Sequence, residues 1–133
     1  MRKLCVVAVV LSACGMGLDE GEYDVTLTPV SDSCGGAEAS TALWRISEAD
    51  GEWTLTNTRN NFTATGSESD GEFFFTTTAY TTLTTGCRVR AEFEITLEPD
   101  GDGFTGEIVA DATAECDGST CRIVTSVVGE RAD

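Results

Sequence analysis

Carboxylates are the main reactive groups that this sequence offers. The 133 residues include 23 Asp and Glu, 8 Lys and Arg and no His, for a formal net charge of −15. Without histidine, imidazole general bases, His-activated nucleophiles and His-ligated metal sites are excluded. The acidic balance excludes nucleic acid, because binding to phosphate backbones depends on Lys and Arg. No pair of acids is marked out by its neighbours for hydrolysis, so we predict a protein that is not an enzyme and uses no cofactor.

The densest group of carboxylates is Asp100, Asp102 and Glu107, which superficially resembles a calcium loop. An EF-hand needs a third ligand at its fifth position and a Glu at its twelfth, and neither fits here. Asp-Gly pairs supply the positive φ angles of tight hairpins. We therefore predict a hairpin turn at these residues and no metal site.

The N-terminus carries a sorting motif. Met-Arg-Lys is followed by ten mostly apolar residues that end in Leu11-Ser12-Ala13, and then by Cys14. This arrangement is typical of a signal peptide and is shorter than the roughly 20 helical residues that span a bilayer. The last four residues resemble the lipobox of bacterial lipoproteins, an aliphatic residue and two small residues before an invariant cysteine. An ordinary secretory signal with an incidental cysteine is the alternative.

The resemblance implies a membrane anchor. Cys14 would receive a diacylglyceryl group, residues 1–13 would be cleaved away, and the new amine would be acylated. Two or three acyl chains hold a membrane far more firmly than one. In enteric-type bacteria an Asp directly after the lipidated cysteine retains a lipoprotein in the inner membrane. This chain has Gly15 at that position, which implies the outer membrane of a Gram-negative cell. A Gram-positive host would instead place the protein on the outer face of its only membrane. Residues 14–22 are small and acidic, so we expect a flexible tether.

The other cysteines predict disulfides. Cleavage would leave 6 Arg, no Lys and 23 acids, a net charge of −17, together with Cys34, Cys87, Cys116 and Cys121 in an oxidising compartment. We favour Cys116 with Cys121, at the ends of a four-residue turn, and Cys34 with Cys87 by elimination. The competing arrangement joins Cys87 to Cys116 across a hairpin centred on residues 101 and 102, and Cys34 to Cys121. Zinc-type C-x-x-C spacing is absent.

The rest of the chain, residues 23–133, is predicted to be a single all-β domain. Runs of Thr, aromatic and β-branched residues are separated by Gly, Asp and Asn, and no helical period is sustained. We predict eight strands, at Glu22 to Val30, Ala42 to Ser47, Trp53 to Thr58, Asn61 to Thr65, Glu72 to Thr78, Cys87 to Glu98, Phe104 to Cys116 and Cys121 to Val128. The short turns between them indicate an antiparallel meander.

Side-chain alternation shows which face is buried. From Val89 to Leu97 every second residue is apolar and the intervening residues are mostly charged, the pattern of a half-buried strand. Such strands bury one face by closing into a small barrel or by stacking as a β-sandwich, and the hairpin connections favour the barrel.

Phe74 breaks this alternation. It cannot share a face with Phe73 and Phe75, so either Phe74 is exposed, as a contact surface for a ligand or partner, or a bulge redirects it. A strand that is partly buried on both faces or covered by the N-terminal segment is the simpler interpretation.

Three functional hypotheses follow. The first is a lipid-anchored, non-enzymatic β-domain of the cell envelope that acts in binding or as a structural surface module. The second is a lipocalin-like carrier of a small apolar ligand, held in a barrel lined by Trp44, Trp53, Phe93 and Phe104. The third is an inhibitor of a cationic enzyme such as lysozyme, steered by the acidic charge. The expected partner is the membrane, through the N-terminal lipid, and the sequence singles out no protein or small molecule.

Overall fold

The computed structural model describes residues 18–132 and is an all-β barrel. Eight antiparallel strands follow one another in chain order around the barrel, and β1 pairs with β8 to close it. The strands are β1 (Gly21–Asp32), β2 (Ser40–Ala49), β3 (Glu52–Asn57), β4 (Phe62–Ser69), β5 (Glu72–Thr82), β6 (Arg88–Asp100), β7 (Gly103–Ala114) and β8 (Thr120–Arg131). The predicted meander barrel is confirmed over the sandwich.

The two ends of the barrel differ in their connections. At one end, here called the closed end, two-residue turns join β2 to β3, β4 to β5 and β6 to β7, next to the two ends of the described chain. Asp50-Gly51 and Asp70-Gly71 have positive φ at both positions, which is the type I′ geometry that matches strand twist. Longer loops, residues 33–39, 58–61, 83–87 and 115–119, gather at the opposite, open end.

The interior is packed at the closed end. Phe104 lies at the centre, with its ring centroid 5.0 Å from that of Tyr23 and 5.9 Å from that of Trp44. Leu55, Phe75, Ile95, Leu97 and Val127 are fully buried around these rings. Leu18, before the first strand, is also part of this core. Inward and outward residues alternate along the strands as the sequence pattern predicts.

Several predicted boundaries need correction. The expected tether extended to residue 22, but Leu18 is buried and β1 begins at Gly21, so residues 18–22 belong to the barrel. The predicted fourth and fifth strands ended at Thr65 and Thr78, whereas β4 continues to Ser69 and β5 to Thr82. The predicted signal peptide at residues 1–13 and the predicted lipid anchor Cys14 lie outside the described residues.

The favoured disulfide pairing is wrong, and the competing one is correct. Cys34 pairs with Cys121 and Cys87 with Cys116, with Cα atoms 5.0 and 5.4 Å apart. The reason is strand register: the β6–β7 ladder, which pairs Asp100 with Gly103, brings Cys87 and Cys116 together at its far end. Cys121 lies opposite Ala112 in the β7–β8 hairpin, so it does not face Cys116.

Candidate ligand cavity

The open half of the barrel is hollow. A cavity of about 380 Å³ extends inward from the open end and is lined by Leu27, Pro29, Ala37, Glu38, Ser40, Trp44, Asn57, Asn60, Phe62, Phe93, Ile95, Ile108, Ala110, Ile123 and Thr125. Ligand pockets have volumes of about 300–1,000 Å³ and mostly apolar walls with a few polar groups. The cavity therefore has the size and lining of a site for a small, mainly apolar molecule.

Aromatic side chains form the floor and one wall. Trp44 is buried between the cavity and the packed half, where it stacks on Phe104 at an interplanar angle of 14°. Phe62 meets Phe93 edge to face, with centroids 5.0 Å apart. This second pair crosses from β4 to β6, so it narrows the barrel beside the cavity. These rings offer a ligand apolar surface that is fixed in place.

Polar groups are concentrated at the mouth. Glu38, Ser40, Asn57 and Asn60 line the cavity where the strands meet the open-end loops. The side-chain oxygens of Asn57 and Asn60 accept the backbone N–H groups of Arg59 and Phe62, at 3.1 and 3.0 Å. Their NH2 groups remain as hydrogen-bond donors, and the Glu38 carboxylate is an acceptor. The mouth thus suits the polar end of an otherwise apolar ligand.

One rim segment, residues 33–39, is held by a single carboxylate. Asp32 accepts backbone N–H groups from Cys34, Gly35 and Ala37, at 2.8, 2.8 and 2.9 Å. These hydrogen bonds, above all the one from Ala37, lower the pKa of Asp32 below its ordinary value, because they favour the charged form. The Cys34–Cys121 disulfide ties the same segment to β8. Ala37 and Glu38 are thereby placed at the mouth.

The other loops of the open end are also fastened. Thr58 donates its backbone N–H and its hydroxyl to the carbonyl of Leu43, at 2.9 and 3.1 Å. Arg59 donates to the carbonyl of Thr41 at 3.1 Å, so the loop of residues 58–61 is attached to β2. The Cys87–Cys116 disulfide joins the two remaining loops. The mouth is therefore largely preformed.

The closed end is covered by polar contacts between side chains near the two ends of the described chain. The Tyr23 hydroxyl donates to the carbonyl of Asp19 at 2.5 Å. The Arg131 guanidinium lies 3.5 Å from the Tyr23 hydroxyl and 3.9 Å from the Asp19 carboxylate. Burial raises the pKa of Tyr23, and Arg131 partly offsets this. Among residues 18–132, these contacts leave the open end as the entrance to the cavity.

Of the four aromatic residues predicted to line the barrel interior, two line the cavity. Trp44 and Phe93 line the cavity, as predicted. Trp53 instead packs edge to face on Phe73 with centroids 4.8 Å apart, and Phe104 is buried in the packed half. Phe62 was missed, although its position at the start of a strand was a usable signal. Asn57 and Asn60 were also missed, because their role depends on how the loop of residues 58–61 folds.

Two other candidate features have simple outcomes. Phe74 is 44% exposed and pairs regularly with Ser67 and Thr96, so no bulge redirects it and the strand is not buried on both faces at this point. The N-terminal segment, which was the other expected cover, lies outside the described residues before Leu18. The residues of the supposed calcium loop form the turn between β6 and β7, as predicted. Within residues 18–132, no group of three or more Asp, Glu, Cys or His side chains is placed to bind a metal ion.

Comparisons with known proteins identify the fold alone. No protein-family model and no curated protein matches the sequence. A solved structure, the monomer form of the M. tuberculosis PknI sensor domain, superposes with a TM-score of 0.51 at 12% identity, covering 86% of this chain and 87% of that chain. In the part of the chain that the structure describes, no helix is long and apolar enough to cross a membrane. Two disulfides are typical of an extracytoplasmic protein.

Proposed function

We propose that this protein is a lipid-anchored, non-enzymatic binding protein of the cell envelope that carries a small, largely apolar molecule in its barrel. The observation that carries the proposal is the hollow half of the barrel, about 380 Å³ with aromatic walls and a polar mouth. The anchor is Cys14, through the lipobox resemblance, and the outer membrane is the proposed location.

The open half of the barrel is hollow because several of its inward-facing side chains are small. Eight-stranded barrels are just wide enough for side chains to fill or for one small ligand to occupy. Tyr23, Trp44 and Phe104 fill the closed half. Smaller residues, Ser40, Ala110 and Thr125, line the open half, where larger residues would complete the core. This arrangement supports a carrier over an inhibitor of a cationic enzyme, which would need only the outer surface.

The charge distribution supports a ligand that is not strongly anionic. Glu38 at the mouth and the high overall negative charge would repel a carboxylate or phosphate headgroup. The apolar walls favour a single chain or a ring system, because the volume is too small for a two-chain lipid. We therefore expect a neutral or cationic molecule whose polar end lies at Asn57 and Asn60.

Binding of a neutral fluorescent probe, N-phenyl-1-naphthylamine, to the full-length protein in detergent tests this function. We expect saturable binding with one site and energy transfer from Trp44. Ala110→Phe places a bulky ring in the cavity. Because the ring occupies space that the probe would fill, binding should weaken by about tenfold. Val109→Phe, on the outward face of the same strand, is the matched control and should bind normally.

Equal binding by the two variants, or no saturable binding, would remove the cavity as the site. Native mass spectrometry of protein extracted from its own membrane adds an independent readout. We expect a copurifying molecule of mainly apolar composition that the Ala110→Phe variant loses.

A further inference from the structure

One side of β5 has no neighbouring strand over half its length. The β4–β5 ladder runs from Ser69 opposite Glu72 to Thr65 opposite Thr76 and stops there. The β5–β6 ladder on the other side continues to Thr82 opposite Arg88. Across residues 18–132, no backbone hydrogen bond joins residues 77–82 to any segment other than β6. These six residues, here called the β5 edge, form an open strand edge in the barrel wall.

Within residues 18–132, the β5 edge lacks the features that normally protect such edges. Proteins shield exposed strands with Lys, Pro, bulges or covering segments. The β5 edge reads Thr-Thr-Ala-Tyr-Thr-Thr, is uncharged, and pairs with β6 without a register shift. Residues 78–82 are exposed, including Tyr80 at 53%. The Arg88 guanidinium lies 4.0 Å from the centre of the Tyr80 ring and holds it against the sheet.

We propose that the β5 edge is a docking site for an extended segment of another polypeptide, which adds to it as an antiparallel strand. Main-chain hydrogen bonds from such a strand provide affinity, and alternate side chains provide specificity. One set of its side chains would lie beside Thr78, Tyr80 and Thr82 on the outer surface. The other set would lie beside Ala79, at the top of the barrel wall.

Charges on β6 select the sequence of the segment. Arg88 and Arg90 lie opposite Thr82 and Tyr80, whereas Glu92 and Glu94 lie opposite Thr78 and Thr76. The added strand would be two strand spacings from β6, about 9–10 Å, which is within a Debye length at ionic strengths of about 0.1 M and below. An antiparallel segment begins near Thr82 and ends near residue 77. The complementary segment is therefore acidic toward its N-terminal end and basic toward its C-terminal end.

Neither a second copy nor the N-terminus of the same chain fits this edge as well. Two copies paired edge to edge by a two-fold axis have antiparallel β5 strands, so their closed ends point in opposite directions. Two proteins anchored next to Leu18 in the same membrane cannot adopt that arrangement, an argument that rests on the proposed anchor. After the proposed cleavage, the four residues from Cys14 to Leu18 reach about 14 Å, and the β5 edge is in the open half, four strands around the barrel from β1.

Hydrogen exchange measured by mass spectrometry on the full-length protein in detergent tests the proposal. The probe is an acetylated, amidated octapeptide with two glutamates, four alternating valines and threonines, and two lysines. At saturation we expect amide exchange within residues 77–82 to slow by about tenfold, as for newly hydrogen-bonded groups. A peptide with the glutamates and lysines interchanged should bind several-fold more weakly at low salt, and the difference should vanish at high salt.

Two protein variants show whether the edge itself is responsible. Thr78→Lys places a protecting charge on the edge and should abolish the slowing. Thr65→Lys, an exposed residue within the paired part of β4, is the matched control and should bind normally. Ala110→Phe should also bind normally, so failure of the cavity proposal and failure of this one are distinguishable.

Three results would overturn the proposal. The first is no slowing with millimolar peptide. The second is slowing at the cavity mouth with the β5 edge unaffected. The third is protection of the β5 edge without peptide that rises with protein concentration, which would identify a second copy as the occupant.

Discussion

At the scale of single residues, Gly129 shows how closely the packed half is fitted. A Cβ atom at Gly129 would lie 2.2 Å from Cζ of Phe104, whose ring is held by Tyr23 and Trp44. We expect Gly129→Ala to lower the free energy of unfolding by about 1–3 kcal/mol, the usual cost of overpacking. Urea denaturation of the variant measures it.

A double-mutant cycle identifies the contact that is responsible. Phe104→Leu alone should be destabilising because it leaves a space in the core. In the Gly129→Ala background it should cost less, since the smaller side chain makes room for the new methyl group. Strictly additive effects would mean that the backbone of β8, and not the Phe104 ring, resists the substitution.

Asp32 is the residue whose charge fixes the rim of the cavity. Its folded-state pKa is below the ordinary value of 3.8, chiefly because the Ala37 N–H favours the carboxylate. As the pH falls below that ordinary value, the unfolded chain takes up the proton before the folded chain does. The contribution of Asp32 to stability is therefore present above the ordinary pKa and is lost as the pH falls through the folded-state pKa.

Comparison with Asp32→Asn tests this linkage. The wild type should be more stable at neutral pH, and the stability difference should shrink as the pH falls below 3.8. Titration of the Asp32 carboxyl carbon by NMR gives the folded-state pKa directly. A value at or above the ordinary one, or a stability difference that grows on acidification, would contradict the role of the three N–H groups.

At the scale of elements, the two disulfides fasten neighbouring parts of the open end. Cross-links that close sequence separations of 29 and 87 residues stabilise by about 3–4 and 4–5 kcal/mol in the chain-entropy treatment. We expect the Cys34→Ser, Cys121→Ser variant to lose more stability than the Cys87→Ser, Cys116→Ser variant. It should also bind the naphthylamine probe more weakly, because residues 33–39 are released from β8.

Peptide mapping without reduction provides the matching covalent readout. Cleavage should yield fragments that join Cys34 to Cys121 and Cys87 to Cys116. A fragment that joins Cys116 to Cys121 would contradict the observed register of β7 and β8.

The strands show what the sequence could and could not predict. β6 was readily predicted because one of its faces is in the core and the other is in water over most of its length. The upper part of β5 was missed, because residues 78–82 are exposed on both faces and so show no alternation. The Cys34–Cys121 disulfide depends on the register between β1 and β8, which are far apart in the sequence, and a bulge at Val30 shifts that register by one residue. Local patterns do not encode such a shift.

The sequence allowed an internal cavity but did not decide between a filled and a hollow barrel. Alternation assigned Phe93 to the inside, and the fold class allowed either a filled or a hollow interior. The choice depends on how much of the interior Trp44 and Phe104 occupy. The two rings stack on each other, and that contact is a tertiary property.

At the scale of the whole molecule, the chain ends determine how the barrel would stand on a membrane. Leu18 is buried at the closed end, only four residues after Cys14, so an acylated Cys14 would hold that end within about 14 Å of the lipid. β1 has 12 residues, and a tilted strand of that length rises about 30 Å. The cavity mouth would therefore face away from the membrane, and the acidic turns at Asp50 and Asp70 would face it.

Fluorophores placed by non-natural amino acids at positions 50 and 117 test this orientation in vesicles containing headgroup-quencher lipids. We expect strong quenching at position 50, in a closed-end turn, and little at position 117, in an open-end loop. Cys14→Ser should release the protein from the vesicles, because the acyl chains supply the binding energy and the acidic surface adds none. Equal quenching at the two positions would mean that residues 14–17 do not restrain the orientation of the barrel. Retention of the Cys14→Ser variant on vesicles would mean that another part of the chain binds the membrane.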